Sequence, residues 1–101
     1  MRCTVLAASV LLAGSVQAQD VIEEGKRLFT REAVPLCAVC HTLREAGASG
    51  QVGPDLDELR PDAARVEKAM RNGIGQMPAN TNLKDAQIRL LANYVASVAG
   101  K

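Results

Sequence analysis

The chain has no tryptophan and only one phenylalanine, one tyrosine and one histidine among its 101 residues. A domain with so few large rings buries too little apolar surface to be secure without a staple. A bound group or a covalent link is therefore expected to help fill the core. The sequence also lacks an excess of either charge. Removing Arg2, which the leader described below takes away, from the twelve basic side chains leaves eleven against eleven acidic ones. No basic block remains that could track a phosphate backbone, so nucleic acid is excluded as a partner class. No alternating run reads as a strand, and there are no internal repeats and no low-complexity tract.

No apolar stretch is long enough to span a bilayer. The first eighteen residues, "MRCTVLAASVLLAGSVQA", start with the positive charge of Arg2 and end at small residues. Between them lie roughly a dozen apolar residues, short of the roughly 20 that a spanning helix needs. This is the pattern of a secretory signal peptide over residues 1–18, cut after Ala18 with Val16 at position −3. Residues 19–101 then form one domain in the periplasm, with no stable membrane insertion. Cys3 leaves with the leader, so Cys37 and Cys40 remain in an oxidising compartment.

The domain reads as all-α. "DVIEEGKRLFTREA" puts Val21 or Ile22, Gly25, Leu28 and Phe29 at helical spacing behind Asp20 as N-cap. Pro35 interrupts that helix, and 36–43 should form a short helical turn. Residues 44–59, rich in glycine, read as a surface loop. Pro61 at N1 and Gly73 just past the end bracket a middle helix over 62–72, with Val66, Ala69 and Met70 facing inward. "GIGQMPAN" is a second loop. A last helix over 83–98, capped by Thr81 or Asn82, carries Ile88, Leu91, Ala92 and Val95 on one stripe, with Leu90 and Tyr94 beside it.

The chemistry concentrates in "CAVCH". A structural zinc site needs four ligands, and Cys37, Cys40 and His41 supply three, all adjacent in sequence. A thioredoxin-like dithiol would follow a strand, and none is predicted. A disulfide between Cys37 and Cys40 closes so small a loop that it adds little by chain entropy, and it leaves His41 unexplained. Cys-x-x-Cys-His is also the attachment signature of c-type haem. One helical turn brings each thiol to a vinyl group, and the next residue turns its imidazole toward the iron. One covalently held haem accounts for both the histidine and the thin core.

The iron then needs a second ligand or an open site. No other histidine exists in the chain, so a methionine is the candidate. Met70 lies on the apolar stripe of the middle helix, where core filling is the better reading. Met77, in the Gly- and Pro-bounded loop, is favoured. A thioether opposite histidine favours Fe(II) and raises the potential. With both axial positions filled, the iron exchanges electrons and not ligands.

The run from Gly25 and Phe29 through "CAVCH", "VGPDL" and "MP" to Leu90, Tyr94 and Val95 resembles the class I cytochromes c. The resemblance implies the small cytochrome c fold: N- and C-terminal helices crossing, one middle helix, and loops enclosing the haem. It implies thioethers at Cys37 and Cys40, His41 as proximal ligand and Met77 as distal ligand. It further implies that the Pro54 carbonyl accepts from the histidine's other nitrogen, that Leu56 lines the pocket, and that Gly25 lets the first helix cross closely against Tyr94. An ordinary exposed helix glycine at 25 would cost roughly 1 kcal/mol against alanine for no gain.

The segment from "PLCAVCH" to "GIGQMP" is similar to small monohaem cytochromes that serve as subunits or acceptors of bacterial sulfite dehydrogenases. In "TNLKDAQI", however, relatives place a serine cap where Lys84 stands, and lysine has no acceptor. The function implied is a one-electron carrier, not an enzyme, between a dehydrogenase donor and an oxidase or cytochrome acceptor. Ala38, Val39, Gly75 and Gln76 would lie near the rim of its exposed haem edge. A permanent subunit of an oxidoreductase complex is the alternative, and a haem-based ligand sensor or enzyme a further one, although no distal base is evident.

Overall fold

A computed structural model describes residues 2–9 and 14–101. Met1 and residues 10–13, the middle of the apolar leader, lie outside the described residues. The elements are α1 (Gly14–Arg27), a π-helical turn (Leu28–Glu32), α2 (Cys37–Cys40), β1 (Thr42–Leu43), β2 (Ala48–Ser49), α3 (Leu56–Leu59), α4 (Ala63–Asn72) and α5 (Asp85–Val98).

Helix α1 begins ahead of Asp20, which therefore lies inside it and is not the N-cap that the sequence suggested. Gln17, Ala18 and Gln19 are ordinary helix formers, and no breaker separates them from the amphipathic stretch. The π-helical turn closes the element, with Ala33 N–H donating to Leu28 O at 3.0 Å. It sets Leu28 and Phe29 side by side in the core, both essentially without solvent exposure.

Two expectations about the stretch after the motif need correction. The chain is not all-α, because β1 and β2 pair antiparallel, Thr42 with Ser49 and Leu43 with Ala48. Residues 44–47 turn between them, with Gly47 at φ +65° and Gly47 N–H donating to Arg44 O at 2.9 Å. Strands of two residues show no alternation, so periodicity could not reveal them. Residues 44–59 are also not wholly loop. Asp55 caps α3 by accepting from Asp57 N and Glu58 N, which gives "LDEL" one helical turn.

Helix boundaries shift for similar reasons. The N-cap of α4 is Asp62, whose side chain accepts from Arg65 N at 2.7 Å, so Pro61 precedes the cap and is not N1. Gly73 ends the helix at φ +69°, as its position suggested. Neither Thr81 nor Asn82 caps α5. Its N-cap is Lys84, which contributes no accepting side chain. Gln87 Oε1 instead accepts from Lys84 N at 2.9 Å.

Helix α5 is the centre of the packing, against both α1 and α4. Its buried face is Ile88, Leu91, Ala92, Val95 and Val98, joined by Tyr94. The Tyr94 and Phe29 rings meet edge to face with centroids 6.4 Å apart, and the Tyr94 hydroxyl donates to Glu45. Burial and that carboxylate both push the Tyr94 hydroxyl's pKa well up.

A buried carboxylate ties three distant segments together. Asp57 is 4% exposed. Its two oxygens accept from Arg44 N and Gly100 N, each at 2.8 Å, joining the β1–β2 turn, α3 and the C-terminus. Burial alone would push this carboxyl up; the two N–H donors and the Arg44 and Arg60 guanidiniums more than offset it and hold the pKa below the usual value. A depressed folded pKa means that the group's contribution is fully present above its unfolded value of about 3.9 and fades as pH falls through the folded one. Asp57→Ala leaves two part-buried N–H donors without their acceptor and should cost about 2 kcal/mol at pH 7. In denaturant titrations the gap to wild type should narrow by pH 3, and a gap of constant size would show that the charge contributes nothing.

Candidate haem site

Helix α2 holds both thiols of the motif on a single turn, and neither is in a disulfide. Cys37 faces inward, where burial pushes its thiol up to about 11, with Cys40 adding to the rise. His41 leaves the helix in extended geometry (φ −116°, ψ 144°), which turns its ring away from the helical path. Its Nδ1 lies 2.8 Å from the Pro54 carbonyl. A carbonyl only accepts, so Nδ1 carries the proton and the lone pair of a neutral ring is left on Nε2.

The segment that delivers Pro54 is pinned to the motif by its own backbone. Gly53 N–H donates to Cys40 O at 2.7 Å, and Gly50 N–H to His41 O at 3.2 Å. A Cβ at Gly53 would stand 2.6 Å from His41 Cε1, and one at Gly50 2.6 Å from the Cys40 carbonyl carbon. These two glycines are functional positions that sequence reasoning missed. Their only signal was membership of a glycine-rich loop, because the neighbour that requires each is brought there by folding.

The second loop presents Met77. Ile74 and Met77 exchange backbone hydrogen bonds of 3.0 and 2.9 Å around Gly75, which sits at φ +53°. Beyond it, Asn80 N–H donates to Met70 O at 2.7 Å, and Asn82 Oδ1 accepts from Val34 N at 2.9 Å. Asn82 Nδ2 also donates to Glu32 O at 2.8 Å. The two asparagines thus tie the Met77 loop to the segment that leads into the motif. Sequence reasoning missed them as well, since an asparagine pair in a loop signals a turn and not its distant partner.

Between these parts lies a largely apolar cavity of about 520 Å3, bordered by Cys37, His41, Pro54, Leu56, Met70 and Met77 and backed by Phe29, Leu91 and Val95. That is the size of a cofactor site. A smaller cavity of about 70 Å3 adjoins Cys40, Gly53 and Pro78. The side chains common to both cavities are Cys37, His41 and Met77. Met70 touches the larger cavity alone and is 4% exposed. Two reduced thiols, an imidazole nitrogen free to ligate and a thioether around an apolar slot fit a flat, covalently held haem.

Among the described residues, no helix is long and apolar enough to cross a membrane. A family model described as cytochrome c oxidase, cbb3-type, subunit III, matches residues 20–95. The crystal structure of the c-type cytochrome SorU from Sinorhizobium meliloti is 53% identical, with a TM-score of 0.79 over 82% of this chain and 95% of that one. The comparison with curated proteins gave no match. Helix-dominated, with one small strand pair and an attachment motif opening on an apolar cavity, the chain belongs to the c-type cytochromes of this family, as a small electron carrier with a covalently bound haem.

Proposed function

We propose a periplasmic carrier of single electrons whose haem is ligated by His41 and Met77 and whose donor is a sulfite dehydrogenase. The observation that carries the ligand assignment is that Cys37, His41 and Met77 are the side chains bordering both cavities. The haem, when bound, supplies an iron that changes charge by one electron. Everything else is done by the chain. Cys37 and Cys40 would hold the group covalently, and His41 would ligate through Nε2. The Pro54 carbonyl, on the far nitrogen, fixes the ring's orientation and raises its basicity as a ligand. Leu56 and the wall behind it keep water from the site, and the Met77 thioether favours the reduced state.

Residues 1–18 act as the signal for export, cut after Ala18. The donor assignment rests on the resemblance of "PLCAVCH" through "GIGQMP" to sulfite-dehydrogenase cytochromes, and the 53% identity to SorU is consistent with it. Near-equal numbers of acidic and basic groups favour a specific docked partner over one drawn in by strong charge steering. Expressed with haem-attachment machinery, the exported protein should begin at Gln19 and gain the mass of one haem. A catalytic amount of a bacterial sulfite dehydrogenase plus sulfite should then bring up its reduced visible spectrum. A protein that dithionite reduces and this pair does not would remove the sulfite pathway.

The family model's description as an oxidase subunit supports a second reading, a fixed subunit of a larger oxidoreductase. Copurification at constant stoichiometry with another chain would favour it over a free carrier.

A further inference from the structure

Apart from Cys37 and His41, the ionisable side chains that border the larger cavity are Arg65 and Lys68, and no Asp or Glu borders it. They stand at i and i+3 on α4, hence on one face, and Asn72 continues the stripe. Among the described residues neither takes part in an ion pair, although this helix does form them. Arg71, which does not border the cavity, pairs with Glu67 at 3.0 Å and with Asp85 at 2.8 Å. The cavity is therefore an apolar slot with two unneutralised cations along one wall. Its complement is a flat apolar group carrying carboxylates at one edge.

Haem is such a group, with two propionates on a single side. We propose that Arg65 and Lys68 bind the haem propionates and that their charge sets part of the reduction potential. Arg65 can meet a carboxylate with two parallel N–H donors, while Lys68 acts as a compact point charge. Cations held at this edge disfavour the extra positive charge of Fe(III) and so raise the potential. The proposal rests on the haem reading, and the experiment separates the two.

Arg65→Gln, Lys68→Gln, the double variant, Arg65→Lys and Arg71→Gln would be prepared as haem-loaded proteins. Mass and visible spectrum come first: a wild type without haem would refute the haem reading itself. The side chains exchanged are exposed, so folding should be spared. At fixed pH and ionic strength each glutamine on the cavity wall should lower the midpoint potential. The double variant should lower it further, Arg65→Lys should stay near wild type, and Arg71→Gln, the same charge change away from the cavity, should leave it unmoved. If the wall variants shift the potential no more than Arg71→Gln does, or Arg65→Lys shifts it as far as Arg65→Gln, the proposal is overturned. A double variant with wild-type potential but slower electron exchange with its partner at low salt would also overturn it, by assigning these cations to docking.

Discussion

Met77→Ala should abolish the weak near-infrared band that a methionine-to-iron bond gives the oxidised protein, while Met70→Ala should keep it. Both thioethers border the larger cavity, so proximity to it does not separate them. Their settings do. Met70 is 4% exposed on the inner face of α4, among the residues that α5 covers. Truncating it removes core packing and should cost about 3 kcal/mol, lowering Tm by roughly 15 °C in a domain of this size. Met77 is half-buried in a loop, and its backbone is held by the exchange with Ile74 and by the Asn80 and Asn82 anchors behind it. A side chain on such a loop adds little to a core. Losing it should alter Tm less than losing Met70, yet open the iron so that the reduced variant binds carbon monoxide tightly where wild type does not. If Met70→Ala lost the band and Met77→Ala retained it, the ligand assignment would be reversed.

Cys37, His41, Pro54, Leu56 and Met77 border the larger cavity and Cys40 the smaller one beside it, and the attachment motif among them was legible because its signal is local. Cys37, Cys40 and His41 share a helical turn and the residue after it, so spacing alone placed them together. Gly73 at the end of α4 and the buried stripe of α5 were legible for the same reason. What escaped depends on chain segments far apart. Gly53 needs its missing Cβ only because the loop returns over His41. Asp57 is one acid among many until Arg44 and Gly100 converge on it. The β1–β2 pair is too short to leave a period. Helix starts were misplaced where a cap was inferred from residue type. Asp20 lies within a helix that begins earlier, and Lys84 occupies a cap position with no accepting side chain, while Gln87 in the first turn accepts from the Lys84 backbone N–H.

Gly25→Ala should be the most damaging single-methyl change in the protein. A Cβ at Gly25 would lie 2.3 Å from Tyr94 Cγ and 2.4 Å from its Cβ. These are the rigid root of a side chain and not the end of a flexible one. Tyr94 cannot yield by changing rotamer, because its ring is packed against Phe29 and its hydroxyl donates to Glu45. Relief therefore requires α1 and α5 to separate, which would disturb the contact that buries Leu28, Phe29 and Leu91. Overpacking on this scale costs about 3 kcal/mol or more, against the roughly 0.4–1 kcal/mol that glycine-to-alanine returns where the new methyl fits. Thermal unfolding of the haem-loaded variant, followed by far-ultraviolet circular dichroism, should show Tm lower by roughly 15 °C. Tyr94→Leu in the same background, which removes the ring but keeps an apolar core residue, should not restore it, because the clash at Tyr94 Cβ remains. In a Tyr94→Gly background, itself strongly destabilised by the lost ring, Gly25→Ala should cost little more, since the Cβ and Cγ that the new methyl would strike are gone. A Gly25→Ala variant at wild-type Tm would mean that the crossing of α1 and α5 is loose enough to admit a methyl group, and that Gly25 has no part in setting it.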